Sequence, residues 1–215
     1  MSDAIVVIDG TEVRARTGER LLFRALDAGF YIPAVCAIRG LEPPQGSCRL
    51  CWVEVEGLGR PVTSCTVPVR DGMVVRTRSD SVDRLVRAGF HLLISAHRLD
   101  CGVCEGNRRC ALQEIARRRK IPMRSARLPP IETNDPVDGS CAEMGYNPNH
   151  CILCGQCVHV CSLKGEGAVL AFVRRGLATR VGTFDDRPLA EHGCGSCLEC
   201  IDVCPVGALY RRGPC

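Results

Sequence analysis

Two stretches of the chain repeat one pattern, Cys151-x2-Cys154-x2-Cys157-x3-Cys161 and Cys194-x2-Cys197-x2-Cys200-x3-Cys204-Pro205. Three thiols at i, i+3 and i+6 can wrap one face of an iron–sulfur cubane in a tight loop. The fourth is expected to start a helix that points away, and in two-cluster ferredoxins it ligates the other cluster. This assigns one [4Fe-4S] cluster to Cys151, Cys154, Cys157 and Cys204, and another to Cys194, Cys197, Cys200 and Cys161. Pro205 follows the last cysteine as the pattern expects, whereas Ser162 follows Cys161. A pair of zinc ribbons would also use Cys-x2-Cys pairs. Zinc tolerates many spacings, however, and gives no reason for a doubled four-cysteine run.

Seven further cysteines and one imidazole ring complete the inventory of ligand candidates. Cys36-x11-Cys48-x2-Cys51-x13-Cys65 has a central Cys-x2-Cys pair like the plant-type [2Fe-2S] pattern, with a longer first gap. Gly46 and Ser47 would let the backbone approach the sulfides. A set of buried structural cysteines is the bland alternative. Cys101-x2-Cys104-x5-Cys110 has only three thiols where a cubane needs four, and His97, at the end of a predicted helix, is the candidate fourth ligand. His91 lies inside that helix and reads as structural. Of 17 cysteines, 15 fall into these groups. Cys141 is expected to be a free thiol, and nothing local gives Cys215 a role. A chain so rich in redox clusters is expected to carry electrons.

The elements that must position these ligands are short. Ile5–Ile8 and Thr11–Arg16 read as strands around an Asp9-Gly10 hairpin turn. Leu21–Ala28 reads as a helix with Leu22, Ala25 and Leu26 on one face, stopped by Gly29. Trp52–Val55, Val62–Ser64 and Met73–Val75 read as further strands, giving a small α+β sheet. Ser79, Asp80 and Ser81 offer an N-cap to a helix reaching about Ala96, and a second helix is predicted over Ala111–Arg118. Pro129-Pro130 and Asn134-Asp135-Pro136 mark a linker. The two cysteine runs then form an internal repeat with approximate two-fold symmetry. They are separated by predicted strands Ala168–Val173 and Thr179–Phe184. Three domains are expected: residues 1–78, 79–131 and 132–215.

Composition narrows the class. Aromatics are 4% of 215 residues and net charge is +4. Metal centres therefore have a thin core to supplement. The charge is too mild and scattered for a nucleic-acid footprint. Arg117-Arg118-Arg119-Lys120 reads as a solvated helix end. The N-terminus lacks the pattern of a signal peptide and no apolar run is long enough to span a bilayer. A cytoplasmic setting, where thiols serve metals rather than disulfides, is the expectation. Gly57-Leu58-Gly59 and Gly165-Glu166-Gly167 lack the context of a dinucleotide fingerprint. No P-loop, HExxH or GxSxG occurs, so no nucleotide site or hydrolytic machinery, and no catalytic residue, is assigned.

The order Cys36…Cys48-x2-Cys51…Cys65, His97-x3-Cys101-x2-Cys104-x5-Cys110, then two ferredoxin runs resembles the N-terminal part of the large iron–sulfur subunit of NADH–quinone oxidoreductase and of multi-cluster iron-only hydrogenases. It is similar in length to the small diaphorase subunit of NAD(P)-linked nickel–iron hydrogenases. Tyr31-Ile32-Pro33, Gly46-Ser47-Cys48-Arg49-Leu50-Cys51 and Cys151-Ile152-Leu153-Cys154-Gly155-Gln156-Cys157 carry the likeness. The resemblance implies an α+β chain of three parts: a β-grasp [2Fe-2S] ferredoxin domain, a small helical His/Cys3 [4Fe-4S] domain and a two-cluster [4Fe-4S] ferredoxin-like domain. The cofactors would be one [2Fe-2S] and three [4Fe-4S] clusters. The implied partners are a flavin (FMN) subunit that binds NAD(P)H and a catalytic oxidoreductase subunit, a hydrogenase first, in a hetero-oligomer. The same relay would serve a formate dehydrogenase, a class II benzoyl-CoA reductase, an electron-bifurcating oxidoreductase or NADH–quinone oxidoreductase. The chain ends soon after Cys204, so catalysis by it alone is not expected. A zinc-binding module and a redox-sensing regulator are the readings from other classes.

Overall fold

In a computed structural model, residues 2–131 and 134–213 are described, and they divide into two compact units, residues 1–90 and 91–215. In the first unit, β1 (Asp3–Ile8) and β2 (Thr11–Arg16) pair antiparallel with Ile8 opposite Thr11. Asp9 and Gly10 both have positive φ, 48° and 84°. That backbone matches the strands' own twist, and Asp-Gly supplies it cheaply. After α1 (Leu21–Asp27) come β3 (Trp52–Val55), β4 (Val62–Thr63) and β5 (Val74–Arg76). The sheet order is β2-β1-β5-β3-β4, with β5 parallel to β1 and all other pairs antiparallel. One helix against a five-stranded mixed sheet is the β-grasp arrangement.

Alternation decides which side chains make that unit's core. Ala4, Val6 and Ile8 on β1 are buried, as are Val13 and Ala15 on β2, Val53 and Val55 on β3, and Val75 on β5. Leu21, Leu22 and Ala25 of α1 close over them. Each fully buried Leu, Ile or Val contributes about 1.5–3 kcal/mol. Leu26, expected on the inner face, is 37% exposed. In a helix of seven residues the buried stripe runs along Leu21, Leu22 and Ala25, and Leu26 lies at its margin.

The helix α2 (Asp80–Ser95) begins where expected, with Ser79 Oγ accepting from the Val82 N–H at 3.2 Å. Its buried residues in the first unit, Val82, Val86 and Phe90, follow the 3.6-residue period. Gly89 is a fixed requirement of this packing, because a Cβ there would stand 2.5 Å from the Arg49 carbonyl oxygen. The helix thus lies directly against the loop that carries Cys48 and Cys51.

The second unit has little regular structure. It contains α3 (Ala111–Arg119), β6 (Met144–Tyr146), α4 (Gln156–Ser162), β7 (Ala171–Val173), β8 (Arg180–Gly182), α5 (Glu199–Asp202) and β9 (Leu209–Arg211). β6 pairs with β9 and β7 with β8, both antiparallel. Arg117 and Arg118 reach back to Glu114, as a solvated helix end should. Arg119 departs from that expectation and is buried. It shares the inner face of α3 with Leu112 and Ile115. The two cysteine runs also differ from expectation in one respect. Their helices start before the third cysteine, not at the fourth. Gly155 and Leu198 adopt left-handed backbone, φ 76° and 55°. Each turns the chain so that a helix begins at the next residue. Cys157 and Cys200 therefore sit in first turns, Cys161 lies near the end of α4, and Cys204 follows α5.

Candidate iron–sulfur sites

Cys36, Cys48, Cys51 and Cys65 are all buried in the first unit. Cys51 immediately precedes β3, and Cys65 follows β4. Ser64 donates to the Cys51 carbonyl through both N–H (2.8 Å) and Oγ (2.9 Å), and its own carbonyl accepts from Leu22 N–H at 3.1 Å. The helix, the sheet and the cysteine loops are thereby tied together. The four thiols interact two by two. A hydrogen bond from Cys48 holds the Cys36 thiol down to about 5 while that of Cys48 rises. Cys65 is lowered and Cys51 raised by the same kind of contact. The Cys48 N–H also donates to Cys36 Sγ at 3.4 Å. Two pairs of thiols suit two irons, each taking one pair. Gly46, φ 57°, and Ser47 lead into Cys48, so this loop has the tight backbone the sequence suggested.

Two hollows in the second unit are lined by thiols from both runs. Cys151, Cys154 and Cys157 share one with Cys204, enclosed by Tyr146, Ile152, Val181, Val206 and Leu209. Cys194, Cys197 and Cys200 share the other with Cys161. Burial raises the thiols of Cys151 and Cys157, and pushes those of Cys194 and Cys200 up to about 11 and about 12. Binding a cationic iron core removes that cost, since metal ligation takes the thiolate. Backbone donors face the sulfurs: Leu153 N–H to Cys151 Sγ at 3.4 Å, and Val169 and Leu170 N–H to Cys161 Sγ at 3.1 and 3.3 Å. Among the described residues, no three His, Cys, Asp or Glu side chains close on a single point as one metal ion would require. The thiols instead stand around hollows, which suits a polynuclear core.

The third thiol group lies against the first of these hollows. His97 is buried, and its Nδ1 is 3.0 Å from the His150 carbonyl oxygen. A carbonyl can only accept, so Nδ1 carries the proton and Nε2 keeps the lone pair a metal needs. Burial holds the ring's pKa down to about 4, which keeps it neutral. Gly106 N–H donates to Cys104 Sγ at 3.4 Å. A Cβ on Gly207 would stand 2.5 Å from the same sulfur, so this glycine forms one wall of the site. Cys110 feels the charge of Cys204, and the N–H of Ala111 donates to the Pro205 carbonyl at 2.8 Å.

Sequence reading overlooked several residues here. His150 bridges this group, with Nε2 2.6 Å from Asp100 Oδ1 and Nδ1 3.7 Å from Cys104 Sγ. Gly207 and Tyr146 were also missed. The available signals were position alone: His150 precedes Cys151, Asp100 precedes Cys101, and Gly207 stands three residues after Cys204. Cys141, expected to be a free thiol, is buried and donates to the Cys194 carbonyl at 3.4 Å. His91 lies within α2 as expected. Cys215 lies outside the described residues.

Comparison with known proteins agrees with this layout. Residues 5–80 match a 2Fe-2S iron–sulfur cluster binding domain. Residues 87–123 match the NADH-ubiquinone oxidoreductase-G iron–sulfur binding region. Residues 143–210 match the ferredoxin-like domain of NADH-quinone oxidoreductase subunit 3. The chain is 34% identical to the NADPH-Fe(3+) oxidoreductase subunit alpha of Geobacter sulfurreducens, over 96% of this chain and 24% of that protein. It is 33% identical to the NADP-reducing hydrogenase subunit HndD of Solidesulfovibrio fructosivorans, over 99% of this chain and 37% of that one. It thus spans 24% to 37% of the length of these curated relatives. A chain of a solved NAD+-reducing [NiFe]-hydrogenase superposes with a TM-score of 0.86 at 30% identity, covering 98% of this chain and 88% of that chain. No helix among the described residues is long and apolar enough to cross a membrane.

Proposed function

Because the chain belongs to the family of iron–sulfur electron-transfer chains of NAD(P)-linked hydrogenases and NADH–quinone oxidoreductases, we propose that it relays electrons between a flavin (FMN) subunit that oxidises NAD(P)H and a catalytic subunit, a [NiFe] hydrogenase first. In this reading it works in the cytoplasm as part of a hetero-oligomer. Residues 1–78 hold a [2Fe-2S] cluster on Cys36, Cys48, Cys51 and Cys65. Residues 79–131 supply His97, Cys101, Cys104 and Cys110 to a [4Fe-4S] cluster. Residues 132–215 hold two more, on Cys151, Cys154, Cys157 and Cys204 and on Cys194, Cys197, Cys200 and Cys161. When bound, the clusters supply one-electron storage between a two-electron hydride donor and the terminal chemistry.

The observation that carries this reading is the exchange of fourth cysteines between the two runs, each thiol-lined hollow drawing three cysteines from one run and one from the other. The chain's own part is to hold and tune. Its thiols fix the core, its backbone N–H groups spread the charge of Cys36, Cys104, Cys151 and Cys161, and around Cys151, Cys154, Cys157 and Cys204 the apolar walls of Ile152, Val181, Val206 and Leu209 limit water. Hydrogen bonds to sulfur and restricted solvent both set the potential. The hydrogenase assignment is supported by the match along 88% of a chain from an NAD+-reducing [NiFe]-hydrogenase. Anaerobic purification from the native host tests the reading. The expected product is a brown complex with about fourteen irons in this chain, an FMN subunit and a nickel-binding subunit. A colourless chain containing zinc and almost no iron would refute the relay. A full iron complement with a different catalytic partner would refute only the hydrogenase assignment.

A further inference from the structure

The hydrogen bond that fixes the His97 tautomer ends on an informative atom. Its acceptor is the carbonyl of His150, and that carbonyl carbon is bonded to the nitrogen of Cys151. We propose that His97 is the coupling residue between the centre it ligates and the centre on Cys151, and that its Nδ1–H is the bridge. This rests on the ligand reading above.

With Nε2 on iron, the route runs through the imidazole to Nδ1–H, across the bond to the His150 carbonyl, and along the peptide into Cys151 and its Sγ. A cysteine at position 97 could ligate iron but has no second polar atom with which to reach that carbonyl. The proposal thus gives a physical reason for the one non-cysteine ligand. A second link joins the same two ligand sets, from Cys110 through the Ala111 N–H to the Pro205 carbonyl and back to Cys204. It passes through more covalent bonds and couples less strongly. A third link runs from Cys104 Sγ across 3.7 Å to His150 Nδ1 and along His150 into Cys151; its contact is longer than the 3.0 Å His97 bond and it passes through one more covalent bond, so it couples less strongly. In the transfer one electron leaves one centre and enters the other. No bond forms or breaks, and the proton stays on Nδ1.

The test is the spin–spin splitting between the two centres, reduced with dithionite in the complete purified chain and read by EPR. Splitting depends on the bridge and is insensitive to driving force. In the unmodified chain it should exceed the through-space dipolar value for the two centres. In His97→Cys, both signals should persist and the splitting should fall towards the dipolar value. An unchanged splitting in that variant overturns the proposal. So does a wholly dipolar splitting in the unmodified chain, a measurement that stands even where His97→Cys fails to assemble its centre. Absence of the His97 centre's signal from the unmodified chain would instead overturn the ligand reading, so the two failures are distinguishable.

Discussion

The two units hold their thiols by different means. In residues 1–90 the four cysteines hang from a β-grasp sheet with one apolar core, from Val6 and Ile8 through Leu22 to Val53 and Val75, which Cys51 and Cys65 join. In residues 91–215 the paired strands are three residues long and two of the helices have seven and four residues. Cys101, Cys104, Cys151, Cys161, Cys194 and Cys204 are only partly buried, and Cys197 is exposed. The comparison teaches that the first unit's thiols sit on a regular sheet, whereas in the second unit the buried side chains, such as Leu112, Met144 and Val181, are joined by few regular elements and the thiol sites have more of the packing to hold. Small domains with little apolar burial are commonly folded by their metal.

Stripping iron puts the greatest strain on that distinction. Removal with an oxidant and a chelator should leave the β2-β1-β5-β3 ladder protected from amide hydrogen exchange. Protection across residues 91–215 should collapse. Equal loss in both units would mean that the N-terminal core does not stand alone, and the contrast would disappear.

A single ligand gives a smaller, local version of the same break. Cys204→Ser should cost about four irons and the signal of the centre on Cys151, Cys154 and Cys157, and should loosen β6 and β9, since Leu209 lines the same hollow. The [2Fe-2S] spectrum should not change. Iron analysis and EPR decide it. Loss of the Cys194 centre with retention of the Cys151 centre would show that the fourth cysteines are not exchanged.

The first unit should fail by another route. Leu22 is fully buried under the sheet, so Leu22→Ala should cost about 2–5 kcal/mol. The denaturation midpoint of residues 1–90 should drop, with iron in the second unit retained. A coincident loss of iron from the second unit would show that the units are not energetically separate.

How much of this was legible in the sequence follows the same division. In the first unit, local patterns placed β2 and β3 to the residue, the apolar run Ile5–Ile8 found all but the first two residues of β1, and Ser79 marked the start of α2. Local patterns suffice where the core is apolar. In the second unit the cysteine spacing located the thiols. It could not locate β6 and β9, because three residues such as Met144-Gly145-Tyr146 carry no period. Nor could it foresee His150 between Asp100 and Cys104, a contact 50 residues apart in the chain on one side and 46 on the other. Arg119 was misjudged because its charge outweighed its place in the helical period. The fourth cysteines were expected to open helices by the two-cluster pattern, but left-handed turns at Gly155 and Leu198 start each helix before the third cysteine, and at Leu198 no glycine announces the turn.

The smallest expected effect concerns the one described cysteine outside the ligand groups. Cys141 is buried beside Cys194, and its Sγ donates to the Cys194 carbonyl. Burial raises its thiol pKa, so it stays protonated as a donor. The loop is held independently by Arg212, whose Nη1 donates to the carbonyls of Gly139 at 2.6 Å and Cys141 at 3.0 Å. Serine keeps a donor in the same direction. Cys141→Ser should therefore retain its full iron content and lose no more than about 1 kcal/mol, the net worth of one altered hydrogen bond. A unit with few regular elements around its thiol sites is also where a substitute ligand would be most useful. Loss of about four irons in this variant would mean that Cys141 binds a cluster and that Cys194 or another member of that set does not.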